Sequence, residues 1–414
     1  MGVLLPVTAL CLFGVGFASW RLRSPEVAVL GGGVVIVYLF DAVATRGNSL
    51  YVSETYSSLW GSDQAFAVVV TDAVACLAFF VMAFAIVQRR VPFGVVRIEG
   101  RPSIVMLSLL SVPIVVSLLS VFRGGTESIL LNRQQYYEAS PVALVATSLA
   151  SGVVILGALL AREPTQGFPR RTLGLFIACV ALLFSMLSGS RSTFLLSTVL
   201  PLIVWWAWPR LSGLGWRRKF LWYSVGGATL MLATVAYSVV FVANTRNVEI
   251  TDNVFATADL SQFDVTVALV DRGVRASTYH SFIGIPIPRE VWPGKPYSGN
   301  AVASQQLFPV RLYLTSSEVA ASLLGEARMN AGGVGWLVAG VVLTLLGVGV
   351  RLLRTGRPHE QLIYLSILLR SVNVVRGDLQ GIILPIGATV FAVFMVYSVP
   401  RFVGRRQRVT LRQT

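Results

Sequence analysis

The sequence predicts an all-α polytopic membrane protein of about eleven transmembrane helices, with one long outer loop that carries short helices. Three observations predict it. Only 13% of the 414 residues are charged, while 55% are hydrophobic and the mean hydropathy is +0.71; soluble domains average about 25% charged. Apolar runs of spanning length recur at 2–20, 26–44, 65–88, 103–122, 140–160, 172–188, 192–208, 220–243, 331–350, 360–375 and 380–400, each near the roughly 20 residues a bilayer requires. The basic residues, finally, fall in short clusters in alternate connections between those runs.

The runs at 172–188 and 192–208 need separate justification. From Thr172 to Pro209 the only charged side chain is Arg191, in the stretch SMLSGSRSTFLL. As one helix this run would be about 57 Å long at roughly 1.5 Å per residue, about twice the hydrocarbon thickness. Two spans joined by a Ser-Gly-Ser-Arg hairpin fit better.

Orientation follows from lysine and arginine. Twenty-one of the 34 basic residues lie in one set of alternate connections and the tail: Arg21 and Arg23; Arg89 to Arg101; Arg162 to Arg171; Arg210 to Lys219; Arg351 to Arg357; Arg401 to Arg412. The positive-inside bias makes these cytoplasmic, so the N-terminus is expected outside and the C-terminus inside. This distribution also accounts for the net charge of +15 and removes nucleic acid as an expected partner. The organisation expected is residues 1–243 with helices 1–8, an outer loop at 244–330, and residues 331–414 with helices 9–11 and a basic tail.

Cys11, Cys76 and Cys179 all fall inside apolar runs and read as small buried hydrophobes. His280 and His359 stand outside any HExxH pattern. No metal site and no cofactor is expected.

The long loop is expected to be functional, as long connections in compact proteins usually are. In SQFDVTVALVDRGV, Leu260 precedes Phe263, Val267, Val270 and Val274 on one helical face. Such a helix would either lie in the membrane interface or pack on the bundle as a lid. Ser316–Leu324 reads as a short outer helix before the ninth span. Arg191 falls on the outer side, against the bias, either as a snorkelling anchor or as part of a site. Arg123, Arg246, Arg272, Arg275, Arg289, Lys295, Arg311, Arg328, Arg370 and Arg376 are expected on or near the same side. So many cations there suggest a shared anionic ligand.

Three stretches then carry a resemblance: SGSRS with Arg191; IPREVWPGKP at 287–296, with Arg289, Trp292 and Lys295; and LGEARMNAGGVG at 324–335, with Gly325, Glu326, Asn330, Gly332 and Gly335. RGD at 376–378 is a weaker fourth, supplying Arg376 and Asp378. In this order the chain resembles the bacterial oligosaccharide repeat-unit polymerases, the Wzy-type O-antigen and capsule polymerases. The resemblance covers residues from about 185 to 400. It implies a GT-C-like membrane fold and a multi-pass protein of the bacterial cytoplasmic membrane. The implied activity is glycosyl transfer on the outer face, from one polyprenyl-diphosphate-linked oligosaccharide to another. Flippase and chain-length regulator proteins would be its partners, besides the lipid bilayer.

The residue chemistry suits such a reaction. Charge builds on the departing diphosphate, and fixed guanidiniums stabilise it with a bidentate fork that stays protonated. Arg191, Arg289 and Arg376 are the candidates, without need of a metal. The attacking hydroxyl needs a proton acceptor: Glu326 first, then His280 and Asp378, with Asp264 and Asp271 behind. Each carboxylate has the alternative of pairing with an arginine. Arg246, His280, Trp292, Lys295, Asn330 and Asp378 are candidate substrate contacts. Tyr279, Phe282, Trp292, Tyr297 and Tyr313 offer faces for stacking on sugars or for packing the loop. Asp72, about two turns into the third span, is costly there and is either functional or paired with a neighbouring helix. An O-antigen-ligase-type transferase would share these features with a different acceptor. A polysaccharide exporter should instead show paired half-sequence repeats with polar groups near the midplane, which this chain lacks.

The topology is tested by labelling. Cysteines introduced at Ser298 and Gly356 should react with an impermeant thiol reagent from opposite sides of the membrane. Labelling of both from one side would overturn the orientation.

Overall fold

The computed structural model describes residues 3–43, 61–88, 103–124, 141–162, 167–187, 262–282, 292–309 except 295, 320–354 and 375–397 except 378, with isolated positions at 218, 360, 363–364 and 367–368. Of the described residues 89% are helical, and none lies in a strand. Among them, six helices are long and apolar enough to cross a membrane, and two shorter apolar helices accompany them. The chain is therefore a helical membrane protein with several spans. The expected runs at 192–208 and 220–243 lie outside the described residues, as does most of 360–375.

The chain divides into two compact units. The first comprises residues 1–93, 250–352 and 370–384, the second 94–249, 353–369 and 385–414. In the first unit, α1 (Leu4–Leu22) ends where Arg23 adopts the left-handed conformation (φ 51°) and its N–H returns to the last carbonyls. Only 11% of its most apolar window is buried, so its Leu, Phe and Val side chains are left for lipid. Ser-Pro-Glu then starts α2 (Pro25–Val34): Ser24 Oγ accepts from Val27 N–H, Pro25 occupies the first turn and Glu26 complements the dipole. The helix continues through a π-helical stretch, Val35–Phe40, to Val43. α2 is the inner helix of this unit, with 67% of its window buried.

α3 (Asp63–Gln88) follows. Beyond it in sequence come α4 (Ile104–Gly124), α5 (Pro141–Arg162) and α6 (Phe168–Leu187), all of the second unit. There α5 and α6 cross at two glycines: a Cβ on Gly157 would lie 2.7 Å from the Gly174 carbonyl oxygen, and one on Gly174 3.0 Å from that of Gly157. Small residues that let backbones touch are the usual glue of membrane helices, where lipid removes the hydrophobic drive between them.

The first unit resumes with α7 (Gln262–Asp271), α8 (Gly299–Leu307), α9 (Leu323–Ala331) and α10 (Gly335–Arg354). α11 (Leu379–Tyr397) closes the described chain. Burial decides between the two readings of α7. Phe263, Val265, Thr266, Val267, Ala268 and Leu269 are all buried, so the helix is enclosed on every side and packs against α3 and α9 rather than lying flat in the interface. Of the short helix expected over Ser316–Leu324, residues 316–319 lie outside the described residues; 320–322 are not helical, and α9 begins at Leu323, where Ser322 caps it by accepting from Gly325 N–H. Glu326 thus sits in the helix's first turn.

α3 and α10 run parallel, with α2 antiparallel to α10. Gly340 meets Phe79 and Gly347 meets Phe84, while Leu30 of α2 reaches Gly347. This creates two distinct ends. At one, Gln88 donates to the Leu22 carbonyl, the buried Arg351 lies 4.0 Å from Glu26, and its guanidinium sits 5.9 Å over the Phe84 ring. At the other, Tyr38, Asp41 and Asp72 meet α7 and α9, whose Arg328 and Glu326 lie at this end. α10 starts beside α9, since a Cβ on Gly335 would lie 2.8 Å from Arg328 N, and from Gly335 to Arg351 is roughly 24 Å of helical rise.

The glycine crossing sets a stability test. Gly157→Leu should lower the thermal midpoint of the detergent-purified protein, since overpacking costs about 1–3 kcal/mol. Gly349→Ala, where nothing lies within 4 Å of the added methyl, should leave the midpoint unchanged or raise it.

Candidate functional site

The polar end of the first unit is organised around α9. Glu326 and Asn330 are four residues apart and share a face of the helix. Both turn toward the segment 276–282. Thr278 is buried and donates its hydroxyl to Glu326 Oε1 at 2.7 Å; the same hydroxyl accepts from Asn330 Nδ2 at 2.8 Å. Asn330 Oδ1 accepts from the N–H groups of Thr278 (2.8 Å) and Tyr279 (3.4 Å), and its amide also donates to the Glu326 carbonyl. One asparagine therefore holds the loop against the helix and orients the hydroxyl that faces the carboxylate.

Glu326 is only 1% exposed. A charge at such depth is tolerated only with polar partners. Besides Thr278, it has the first turn of α8: a Cβ on Gly299 would stand 3.0 Å from the Glu326 carboxyl carbon. Only glycine admits so close an approach, and it places the carboxylate at the positive end of a helix.

Both ends of α9 are fixed by side chains from elsewhere in the unit. At the start, Ser322 holds φ 61°, ψ 158°, a conformation that costs a non-glycine residue about 1–3 kcal/mol. Its hydroxyl meets Thr266 Oγ1 at 2.8 Å. Leu324 N–H donates to Tyr38 Oη at 2.8 Å, and Tyr38 donates to the Val375 carbonyl at 3.2 Å. At the far end, Gly332 turns at φ 65°, and a side chain there would collide with the Arg275 guanidinium, which donates to the Arg328 carbonyl at 3.0 Å. Midway, Arg328 forms a hydrogen-bonded ion pair with Asp72 of α3. The pairing reading of Asp72 is the one found.

Around this frame lie further cations and loop contacts. Arg272 donates to the Gln306 carbonyl at 3.0 Å. Ser62, through its hydroxyl and its N–H, binds Asp271 and holds that carboxyl below the usual carboxylate range. His280 is exposed, with Nδ1 2.9 Å from Ser277 Oγ. Tyr279 is different. Its phenol oxygen is fully buried without a hydrogen-bond partner among the described residues. Burial, and then the charge of Glu326, push its pKa up, so at neutral pH it is a donor.

Of the residues expected from sequence, Glu326, Asn330 and His280 are brought to this one end. Arg376 adjoins it, one residue after the Val375 carbonyl that Tyr38 binds. Trp292 is 37% exposed. Arg191, Arg246, Arg289, Lys295 and Asp378 lie outside the described residues. Sequence reasoning missed Thr278, Gly299, Ser322 and Tyr38. For Tyr38 a signal existed, a lone hydroxyl in the apolar run VVIVYLF followed by Asp41; Asp41 accepts from Phe263 N–H at 3.1 Å. For Thr278 there was none.

No group of His, Cys, Asp and Glu that could hold a metal ion occurs among the described residues. Comparison of the chain with protein-family models, with curated proteins and with solved structures finds no match.

The ion pair sets the test of this frame. Asp72→Ala leaves a largely buried guanidinium uncompensated and should cost about 3–5 kcal/mol of stability, read as a lowered thermal midpoint. Asp72→Ala with Arg328→Met should recover much of that loss. A silent Asp72→Ala would remove the pair from the frame.

Proposed function

We propose that this chain is a membrane glycosyltransferase that polymerises polyprenyl-diphosphate-linked oligosaccharide repeat units on the outer face of the bacterial cytoplasmic membrane. The observation that carries the reading is the buried Glu326 carboxylate, held by Thr278 and Asn330 at the end of the first unit opposite Arg21, Arg23 and Arg351. If those arginines face the cytoplasm, Glu326 faces outward, beside Arg272, Arg275, Arg328 and Arg376. One of the stretches that carry the resemblance noted in the sequence, 324–335, begins on α9.

In the proposed reaction the acceptor sugar's hydroxyl oxygen bonds to the anomeric carbon of the donor glycan. The bond from that carbon to the diphosphate oxygen breaks, and its electron pair leaves with the diphosphate. The hydroxyl proton passes to Glu326. Arg376, with Arg191 and Arg289, is assigned to the diphosphate, where fixed positive charge stabilises the leaving group most in the transition state. His280, Trp292, Lys295, Asn330, Arg246 and Asp378 are assigned to substrate contact. Thr278 orients Glu326 by donating to its Oε1.

The experiment is glycan length. A strain lacking the protein should keep single repeat units at its surface and lose the long chains. Glu326→Gln keeps shape but not basicity, and should reduce polymer formation by about 10²–10⁴, the usual weight of a positioned base, at normal protein level. Normal polymer with Gln and loss with Ala would make Glu326 an orienting group instead.

A further inference from the structure

We propose that the Tyr279 phenol is a substrate-binding donor that, together with the Glu326 carboxylate, grips one hydroxyl of a saccharide. The inference rests on the reading of this end as a glycan site and gives it a second contact.

The argument begins with an orphan. Buried polar groups are almost always hydrogen-bonded, and an exception calls for an explanation. Tyr279 is such an exception, although its backbone is tightly held. Its N–H donates to Asn330, the preceding Thr278 is fixed by two side chains of α9, and Ser281 N–H donates to the Thr278 carbonyl at 2.9 Å, closing the short 3₁₀ turn Tyr279–Phe282. The ring is therefore placed by its backbone rather than by its hydroxyl. The ring is partly exposed while the oxygen is buried, so the side chain runs from the surface inward. Tyr279 directly follows Thr278, whose hydroxyl bonds Glu326, and the charge of that carboxylate acts on the phenol.

Those neighbours restrict what the phenol can meet. Tyr38 is already engaged at both its donor and its acceptor side, by Val375 and Leu324. Glu326 accepts from Thr278 on Oε1. A ligand that satisfies the phenol must accept a hydrogen bond from it and sit beside an acidic oxygen. An anion would be repelled by Glu326, and a cation would offer the phenol no acceptor. A neutral hydroxyl does both tasks, accepting from Tyr279 and donating to the carboxylate. A sugar hydroxyl that meets Glu326 in this way is already aligned to give up its proton there. The phenol face that loop stacking would use is thus secondary to its oxygen.

The test uses the full-length protein in lipid nanodiscs and, as probe, the lipid-linked single repeat units extracted from a strain lacking this protein. Tyr279→Phe keeps the ring and removes the orphan oxygen. Its thermal midpoint should stay the same or rise, because a buried unpartnered hydroxyl is lost. Its affinity for the probe should fall roughly three- to tenfold, the effect of one neutral hydrogen bond. A midpoint lowered by several degrees would mean that the hydroxyl has a structural partner, and unchanged affinity would mean that it meets no substrate; either overturns the proposal. Failure of the unmodified protein to bind the probe would overturn it along with the polymerase reading. Binding that weakens in Tyr279→Phe, in a protein whose loss leaves glycan length unchanged, would support the saccharide contact while ending the polymerase reading alone.

Discussion

The buried ion pair between Asp72 and Arg328 is the constraint on which the polar end of the first unit depends. It joins α9, a helix of nine residues, to α3, a long apolar helix. So short a helix has little stability of its own, and its rotation about its axis is set by what it touches. With Arg328 fixed toward α3, Glu326 and Asn330 necessarily share another face, the one that meets Thr278 and Gly299. Losing the pair would free that rotation and leave a guanidinium in an apolar setting. Any chemistry at Glu326 would therefore inherit its geometry from this contact.

The same logic holds at the opposite end of this unit. Glu26 and Arg351 approach in a buried position, with Ser24 hydrogen-bonded to the carboxylate. Buried charges at the two ends of α10, with none between, fit a membrane helix. The segment between them, from Gly335 to Val350, is without charge. The parallel course of α3 and α10 and the antiparallel course of α2 bring Arg21, Arg23 and Arg351 to one side. That is the arrangement the basic-residue pattern of the connections requires.

How much of this was legible in the sequence varies by element. The long helices were, because twenty apolar residues in a row have few alternatives once lipid is the solvent. Glu326 and Asn330 were legible as motif residues, and Asp72 as a charge in the wrong place. The position of α9 was not. Its start depends on Ser322, whose capping role requires a positive φ enforced by Thr266 and by the Tyr38 contact one helix away. Nothing local to SSEVAASLLGE announces that. Thr278 was equally silent, since a threonine in a polar loop gains its role only when the fold sets it between a carboxylate and an amide. The enclosure of α7 was half legible: its apolar face was visible, but burial of the remaining faces depends on neighbours distant in sequence.

Glu326 carries an internal tension. A carboxylate that is 1% exposed is shielded from water, and a ligand could reach it only by displacing something above it. The segment 276–282 covers it, with Thr278 donating its N–H to Asn330 and its hydroxyl to Glu326. Each such bond is worth only about 0.5–1.5 kcal/mol net, and a saccharide hydroxyl offers replacements for those it breaks. A ligand rich in hydroxyls could exchange for such bonds at little net cost, whereas an apolar one could not. Selectivity for glycan over lipid chains would follow from that exchange before any individual sugar is recognised.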